Sequence, residues 1–376
     1  MSYFSNIANA RSMNATLSSA VEKDVELGDP PSDSISSISF SSQANYLAVG
    51  SWDNSVRIYE VASNAQSQGK VMYSHQGPVL DVCWSTDGTK VFSSSADNTA
   101  RAFDIGTGQN VRVGQHDAPI KSLRWVDGPQ GGVLVTGSWD KTLKYWDLRT
   151  PSAIATVNLP ERCYTLDARY PCLVVGCAEQ HIMIYDLKNP TVPYKTKISP
   201  LKKQLRVVSC FTNSTGDHGF ALGGVDGRLA ISYIEDKDAV KCYSFKAHRR
   251  STTPTSNDQA IVHCVNSIAF HPVHGTFATG GSDGGVHFWD GEARVRVKTF
   301  DPYPTPVSST AFNKDGSLFA YALSYDWHRG HAGAALTAAT NSTGSAEPNR
   351  MVNQTKIMLH KCKEEEVRKR QGAIRK

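Results

Sequence analysis

The chain has 376 residues, with 40 Lys and Arg against 35 Asp and Glu, a formal net charge of +5 and 40% hydrophobic residues. That apolar fraction excludes a chain disordered throughout. The longest apolar runs, at 47–50, 133–135 and 173–177, fall far short of the roughly 20 residues that cross a bilayer, so no membrane insertion is expected.

Residues 1–20 hold one basic residue and no apolar core of a secretory leader, and they read as a flexible tail. A strand with apolar residues at 21, 25 and 27 follows. From residue 35 one pattern recurs: an alternating strand, a short apolar run, two small residues, an acidic turn and a second alternating run. It reads Leu-Ala-Val-Gly-Ser-Trp-Asp-Asn-Ser-Val-Arg-Ile-Tyr at 47–59 and Val-Thr-Gly-Ser-Trp-Asp-Lys-Thr-Leu-Lys-Tyr-Trp-Asp at 135–147. It returns as Ala-Thr-Gly-Gly-Ser-Asp-Gly-Gly-Val-His-Phe-Trp-Asp at 278–290, with further copies at 91–104, 174–186 and 221–233. The turn acids fall at 53, 97, 140, 179, 226 and 283, in steps of 44, 43, 39, 47 and 57. Two-residue alternation rich in Val, Ile, Tyr and Trp means strands, and the spacing is that of a four-stranded propeller blade.

A seventh unit begins at 307–312, continues at 318–322, and is interrupted by a Gly/Ala/Ser/Thr-rich insertion at 332–354. Residues 355–360 supply its third strand, and the N-terminal strand at 21–27 is expected to close the ring as its fourth. Length alone suggests about two to three domains. The repeat gives one instead: an all-β, seven-bladed propeller over 21–360. Residues 361–376 are basic and poor in apolar residues, so a frayed, solvated helix is expected there.

The eight cysteines are scattered without a CxxC pair and read as unpaired thiols. No metal site and no cofactor are expected. His75, His116 and His248 lie 22, 24 and 35 residues before Asp97, Asp140 and Asp283. A hydrogen bond from each imidazole to its turn carboxylate would tie a blade's entry loop to its own hairpin. Repetition of the pair around a ring argues scaffold, because an enzyme needs its constellation once. His271, His274, His328 and His331 have ligand-like spacing but no acidic or Cys partner nearby in sequence, and they read as surface-turn residues. The glycine-rich stretch at 280–285 leads into a strand and lacks the Lys-Ser/Thr ending of a phosphate loop. Trp52, Trp139 and Trp289 read mostly as packing between blades, with an exposed anchor as the alternative for a Trp on a loop.

Charge is uneven. Residues 201–250 hold nine basic and five acidic residues, and 349–376 hold nine and three. Lys202, Lys203 and Arg206 lie on the connection into the fifth blade, and Arg249 and Arg250 on the connection into the sixth. These connections share a rim, so the cations should converge as a site for an acidic peptide or for phosphates. Arg206 and Arg249 suit carboxylates, which arginine binds bidentately. Arg250 and the tail cations Lys361, Lys363, Arg368, Lys369 and Arg370 are the candidates for sequence-independent RNA contact.

Several segments carry a resemblance. They include Gly137-Ser-Trp-Asp-Lys-Thr-Leu-Lys-Tyr-Trp-Asp147, Pro200-Leu-Lys-Lys-Gln-Leu-Arg206, Phe245-Lys-Ala-His-Arg249 and Phe319-Ala-Tyr-Ala-Leu-Ser-Tyr-Asp-Trp327. From about residue 20 to 331 the chain resembles the WD40 family of nuclear-pore-associated messenger-RNA export factors. The resemblance implies a seven-bladed WD40 propeller in the nucleus, at the nuclear envelope and pore, shuttling to the cytoplasm. It implies binding of a Glu-rich (GLEBS) segment of an FG-repeat nucleoporin, with Arg206 and Arg249 at the peptide-binding positions and Lys202 beside them. It also implies a part in poly(A) RNA export and contact with messenger ribonucleoprotein. Two features depart from the family: the insertion at 332–354, and Gly285 where the family often has Arg. The sister WD40 family of the mitotic spindle checkpoint, which binds Glu-rich segments of checkpoint kinases, is the alternative, and the Tyr-Asp-Trp ending favours the export factors. An enzyme using the central channel on a small-molecule substrate is the third reading, and no constellation supports it.

Overall fold

A computed structural model describes residues 23–128, 131–253, 256–330 and 355–370. The expected tail at 1–20 and insertion at 332–354 lie outside the described residues. Seven four-stranded antiparallel sheets form the blades of a propeller, numbered here 1 to 7 in chain order. Their inner strands are Ile35–Phe40, Val79–Trp84, Ile120–Gly128, Cys163–Arg169, Leu205–Thr212, Val265–Phe270 and Val307–Phe312. Blades 1 to 6 each run outward through four consecutive strands, as antiparallel hairpins do. No helix among the described residues is long and apolar enough to cross a membrane.

The second strands explain why the blades stack. They are short, apolar and buried on both faces, as in Tyr46–Ser51, Cys172–Cys177 and Phe277–Gly281. Side chains on the two faces of a strand point opposite ways, so each second strand feeds two cores. The cores therefore lie between blades. Ala48, Val56 and Ile58 of blade 1 pack on Val79, Val82, Trp84 and Phe103 of blade 2. Each large side chain so buried contributes about 1.5–3 kcal/mol.

Closure of the ring comes from both ends of the chain. Val25 and Glu26 pair with Leu359 and Met358 of Lys356–Lys361, the third strand of blade 7. The N-terminus thus supplies the outer strand. Leu27, Ile35 and Ile38 share one core with Leu318, Ala320, Ile357 and Leu359. Ser324 and Ser309 hydroxyls accept the backbone N–H groups of Ile35 and Ile38 across the seam.

Two elements differ from expectation. Between blades 5 and 6 the chain makes an extra hairpin, Arg249–Thr253 with Ser256–Val262, where the sequence reading placed a plain connection. The expected frayed helix after residue 360 is instead one seated turn, Glu364–Val367, against blade 6. Val367 is buried, its carbonyl accepts the Thr276 hydroxyl at 2.6 Å, and the Arg370 N–H donates to Asp290 at 2.9 Å. One apolar residue and specific hydrogen bonds hold this segment, which is why its composition read as solvated. Residues 371–376 lie outside the described residues.

Candidate functional site

Each inner strand carries one extra residue near its start. The register with the second strand shifts at Ile35/Ser37, Val79/Asp81, Ile120/Ser122, Cys163/Thr165, Leu205/Val207, Val265/Ser267 and Val307/Ser309. A bulge of this kind re-aims a side chain. The seven bulged residues are Ser36, Leu80, Lys121, Tyr164, Arg206, Asn266 and Ser308. All seven line one cavity of about 280 Å³, together with Trp52, Trp139, Tyr325 and Trp327. A cavity lined from seven blades lies on the axis, at the face where the inner strands begin.

Arg206 points into this cavity. Its Nε donates to Asn266 Oδ1 at 3.0 Å, and a terminal nitrogen donates to the Asp326 carbonyl at 3.0 Å. Asn266 in turn donates to the Asp326 carboxylate at 2.7 Å, the Ser282 hydroxyl donates to the same carboxylate, and His328 Nδ1 lies 2.5 Å from it. Burial alone would raise the Asp326 pKa. The hydrogen bonds from His328 and Ser282 outweigh burial and hold it well below the usual carboxylate range. Lys121 is the second cation of the ring. Burial lowers its pKa, the Asp81 carboxylate opposes that shift, and Arg206 adds to it. Trp52 stacks on Trp327 with ring centroids 4.9 Å apart. Trp139 stays 38% exposed, enough to contact a ligand.

The other predicted cations are placed variously. Lys202 and Lys203 are exposed on the connection into blade 5 and make no hydrogen bond or ion pair with described residues. Arg249 begins the extra hairpin, and its stem lies over the turn of blade 5. A Cβ on Gly227 would meet Arg249 Cγ at 2.9 Å. Its Nε is buried without a partner. Arg206 and Arg249 therefore share a face, with Arg206 turned to the axis and Arg249 lying over blade 5. Arg250 pairs with Ile261 through its backbone, and its side chain lies outside the described residues.

The basic segment after residue 360 is engaged with the fold. Lys369 pairs with Glu292 at 2.8 Å, an Arg370 terminal nitrogen reaches the Val297 carbonyl at 3.4 Å, and the Lys363 N–H donates to Glu366 at 3.3 Å. Lys361 also has a partner. Arg368 makes no hydrogen bond or ion pair through its side chain with described residues. The expectation of a freely available basic tail at 361–370 is corrected on this point.

The His–Asp pairs stand as hydrogen bonds within blades. His75 Nδ1 lies 3.2 Å from Asp97, and His116 and His248 lie 2.8 Å from Asp140 and Asp283. Each relay continues inward. His116 Nε2 meets the Thr136 hydroxyl at 2.8 Å and His248 Nε2 meets that of Thr279 at 3.0 Å. The indole N–H groups of Trp146 and Trp289 donate to the same hydroxyls. In blade 2, Ser93 stands in place of the Thr, and the Tyr73 hydroxyl from the outer strand of blade 1 donates to it. Trp289 is thus buried in a relay, whereas Trp52 and Trp139 face the axial cavity.

His271 is not a surface-turn residue. It is buried, packs on Phe312 and accepts the N–H groups of Val273 and His274, because the turn at 271–275 folds back over its ring. His274 pairs with Glu364 at 3.2 Å. His331 lies outside the described residues. Among the described residues, His248, Asp283 and His287 place ligand atoms within 4.8 Å of one another. Both ring nitrogens of His248 are already used by Asp283 and Thr279, so this group is part of the relay. All eight cysteines are unpaired, and burial pushes Cys83 and Cys177 up to about 12, which leaves those two as inert thiols.

Two signals for the axial site were missed in the sequence. Lys121 and Tyr164 occupy the same place in their repeats as Arg206, one residue into each inner strand. Alignment of the seven units on that position would have found the ring.

The family of the WD domain, G-beta repeat, matches residues 26–60, 66–104, 108–147 and 257–290. Those stretches cover blades 1 and 2 and the three inner strands of blades 3 and 6. Over its whole length the chain is similar to curated proteins. It is 46% identical to the poly(A)+ RNA export protein of Schizosaccharomyces pombe, over 98% of this chain and 99% of the relative. It is 47% identical to the mRNA export factor GLE2 of Chaetomium thermophilum, over 90% of each. It is 46% identical to protein Rae1 of Drosophila melanogaster, over 84% of this chain and 92% of the relative.

Proposed function

The chain belongs to the family of WD-repeat messenger-RNA export factors, and on that premise we propose that it is a non-enzymatic adaptor in poly(A) RNA export. Its entry face holds a Glu-rich segment of an FG-repeat nucleoporin, and so docks the protein at the nuclear pore. The observation that supports this most is the axial cavity: two cations inside an aromatic wall, on the same face as exposed Lys202 and Lys203 and the arginine at 249. Arginine and lysine beside apolar rings suit carboxylates carried on a partly apolar peptide. RNA is a second, weaker ligand. Among the described residues Lys363 and Arg368 expose side chains that can meet it, and such contact carries no sequence information.

The test is capture of partners from a nuclear extract on the wild-type chain and on Arg206→Gln and Arg249→Glu. An FG-repeat nucleoporin captured by wild type and lost by both variants is the expected result. Each substitution should weaken a purified Glu-rich peptide by about 2–5 kcal/mol where the pair is desolvated, and by under about 1 kcal/mol where it is exposed. Capture of a checkpoint kinase instead would favour the spindle-checkpoint reading. Retention of the nucleoporin by Arg249→Glu would remove that residue from the site.

A further inference from the structure

Of the seven bulged residues around the axial cavity, Lys121 and Arg206 alone are charged. Arg206 is committed to Asn266 and to the Asp326 carbonyl. Lys121 makes no hydrogen bond or ion pair with any described residue. The acid whose charge acts on it, Asp81, is already held by Arg124, Ser122 and Ser37. Asp326, the acid that lines the cavity, is saturated by His328, Ser282 and Asn266. Trp327 adds an unmet donor, since its Nε1 is buried without a partner. The Tyr164 hydroxyl, on the bulge next to Lys121, likewise bonds to no described residue. Trp327 also holds a left-handed backbone (φ 60°), which a bulky residue adopts only where its surroundings force it. The stack on Trp52 and the contact with Tyr325 fix it there.

From this geometry we propose that the axial cavity seats a single glutamate side chain, with Lys121 as its ion-pair partner and the Trp52 and Trp139 rings around its methylenes. The proposal rests on the acidic-peptide reading above and names the residue that takes the buried carboxylate. The charge count selects the ligand. A phosphate brings close to two negative charges and three strong acceptors. With Arg206 engaged, the cavity offers one free ammonium, which balances one carboxylate. The apolar wall removes water from the pair and strengthens it. Glutamates elsewhere on the segment meet the outer cations: Lys202 and Lys203, where solvent screens them, and Arg249, whose buried Nε lacks a partner.

The test uses the full chain and a labelled synthetic peptide that carries three glutamates among apolar residues, with its three single Glu→Gln forms. Lys121→Met should weaken the parent peptide by about tenfold or more. One Glu→Gln form should bind Lys121→Met and wild type equally, while the other two keep the full loss. Lys121→Arg should restore most of the binding, which separates lost charge from lost fold. Parent-peptide binding by Lys121→Met at wild-type strength would overturn the proposal, as would coupling spread evenly over all three glutamates. If the peptide also responds to Arg249→Glu in that case, the adaptor reading survives alone. If wild type binds none of the peptides, both readings fall.

Discussion

Thr136 shows how much one hydroxyl holds in this ring. It is fully buried, and both His116 Nε2 and the Trp146 indole N–H converge on its oxygen at 2.8 Å. Trp146 is itself part of the core between blades 2 and 3. Thr136→Val keeps the shape and removes the acceptor. Two buried polar groups then lose their partner, each at about 1–3 kcal/mol when left unmet. The expected result is a loss of about 2–4 kcal/mol in urea unfolding, with the slope of the transition unchanged. The same argument bears on what was legible at this scale. The His–Asp spacing gave the outer half of each relay, because both residues sit at fixed places in a repeat. The inner half was not legible: nothing in a run of small residues at 136–138 says which hydroxyl meets an imidazole from the preceding connection.

The turns between second and third strands set how closely neighbouring blades approach. Gly284 has φ +72°, and a Cβ there would lie 1.8 Å from the Tyr303 carbonyl oxygen on the connection into blade 7. Gly108 has the same φ of +72°, with nothing within 4 Å of a Cβ. The pair separates conformational strain from collision. Gly108→Ala should cost about 1 kcal/mol, the strain of a left-handed alanine. Gly284→Ala adds a backbone clash that no rotamer relieves, and should cost at least about 3 kcal/mol. Thermal midpoints of the two variants check this, and equal midpoints would show that the connection at 301–306 yields. Strand order and turn positions were legible because alternation and turn chemistry are local. The bulges were not. One extra residue moves a side chain from the sheet face to the axis, and that depends on pairing with another strand. Lys121 and Tyr164 therefore looked like ordinary strand residues, although they line the axial cavity.

At the scale of the whole molecule, stability rests on a ring whose two ends meet at His360. Its Nδ1 lies 2.7 Å from Asp24 beside the N-terminal strand, and its Nε2 lies 2.9 Å from Glu366 in the seated C-terminal turn. Tyr321 donates to Asp24 at 2.5 Å and Lys298 to Glu366 at 2.7 Å, so strands of blades 7 and 6 join the same network. Lys23, Asp301, Lys361, Lys363 and Glu365 border the same recess. Burial lowers the His360 pKa, but the two carboxylates outweigh burial and raise it. Four other buried histidines shift the other way. Burial pushes His75 and His271 down to about 4 and His287 to about 3, and lowers His116. These four stay neutral in the fold, whereas the unfolded chain protonates them near 6.5. Between pH 6.5 and about 4 the unfolded state therefore binds more protons, and stability falls with acid, on the order of 3 kcal/mol from His75 alone. His360 has the opposite sign. Its contribution is complete below 6.5 and is lost as pH rises through its raised, folded-state value. The two limbs predict a maximum of the urea midpoint close to neutral pH. His360→Gln should flatten the fall above pH 6.5 and leave the acid limb in place. An unchanged alkaline limb in that variant would mean that closure of the ring does not depend on the imidazolium.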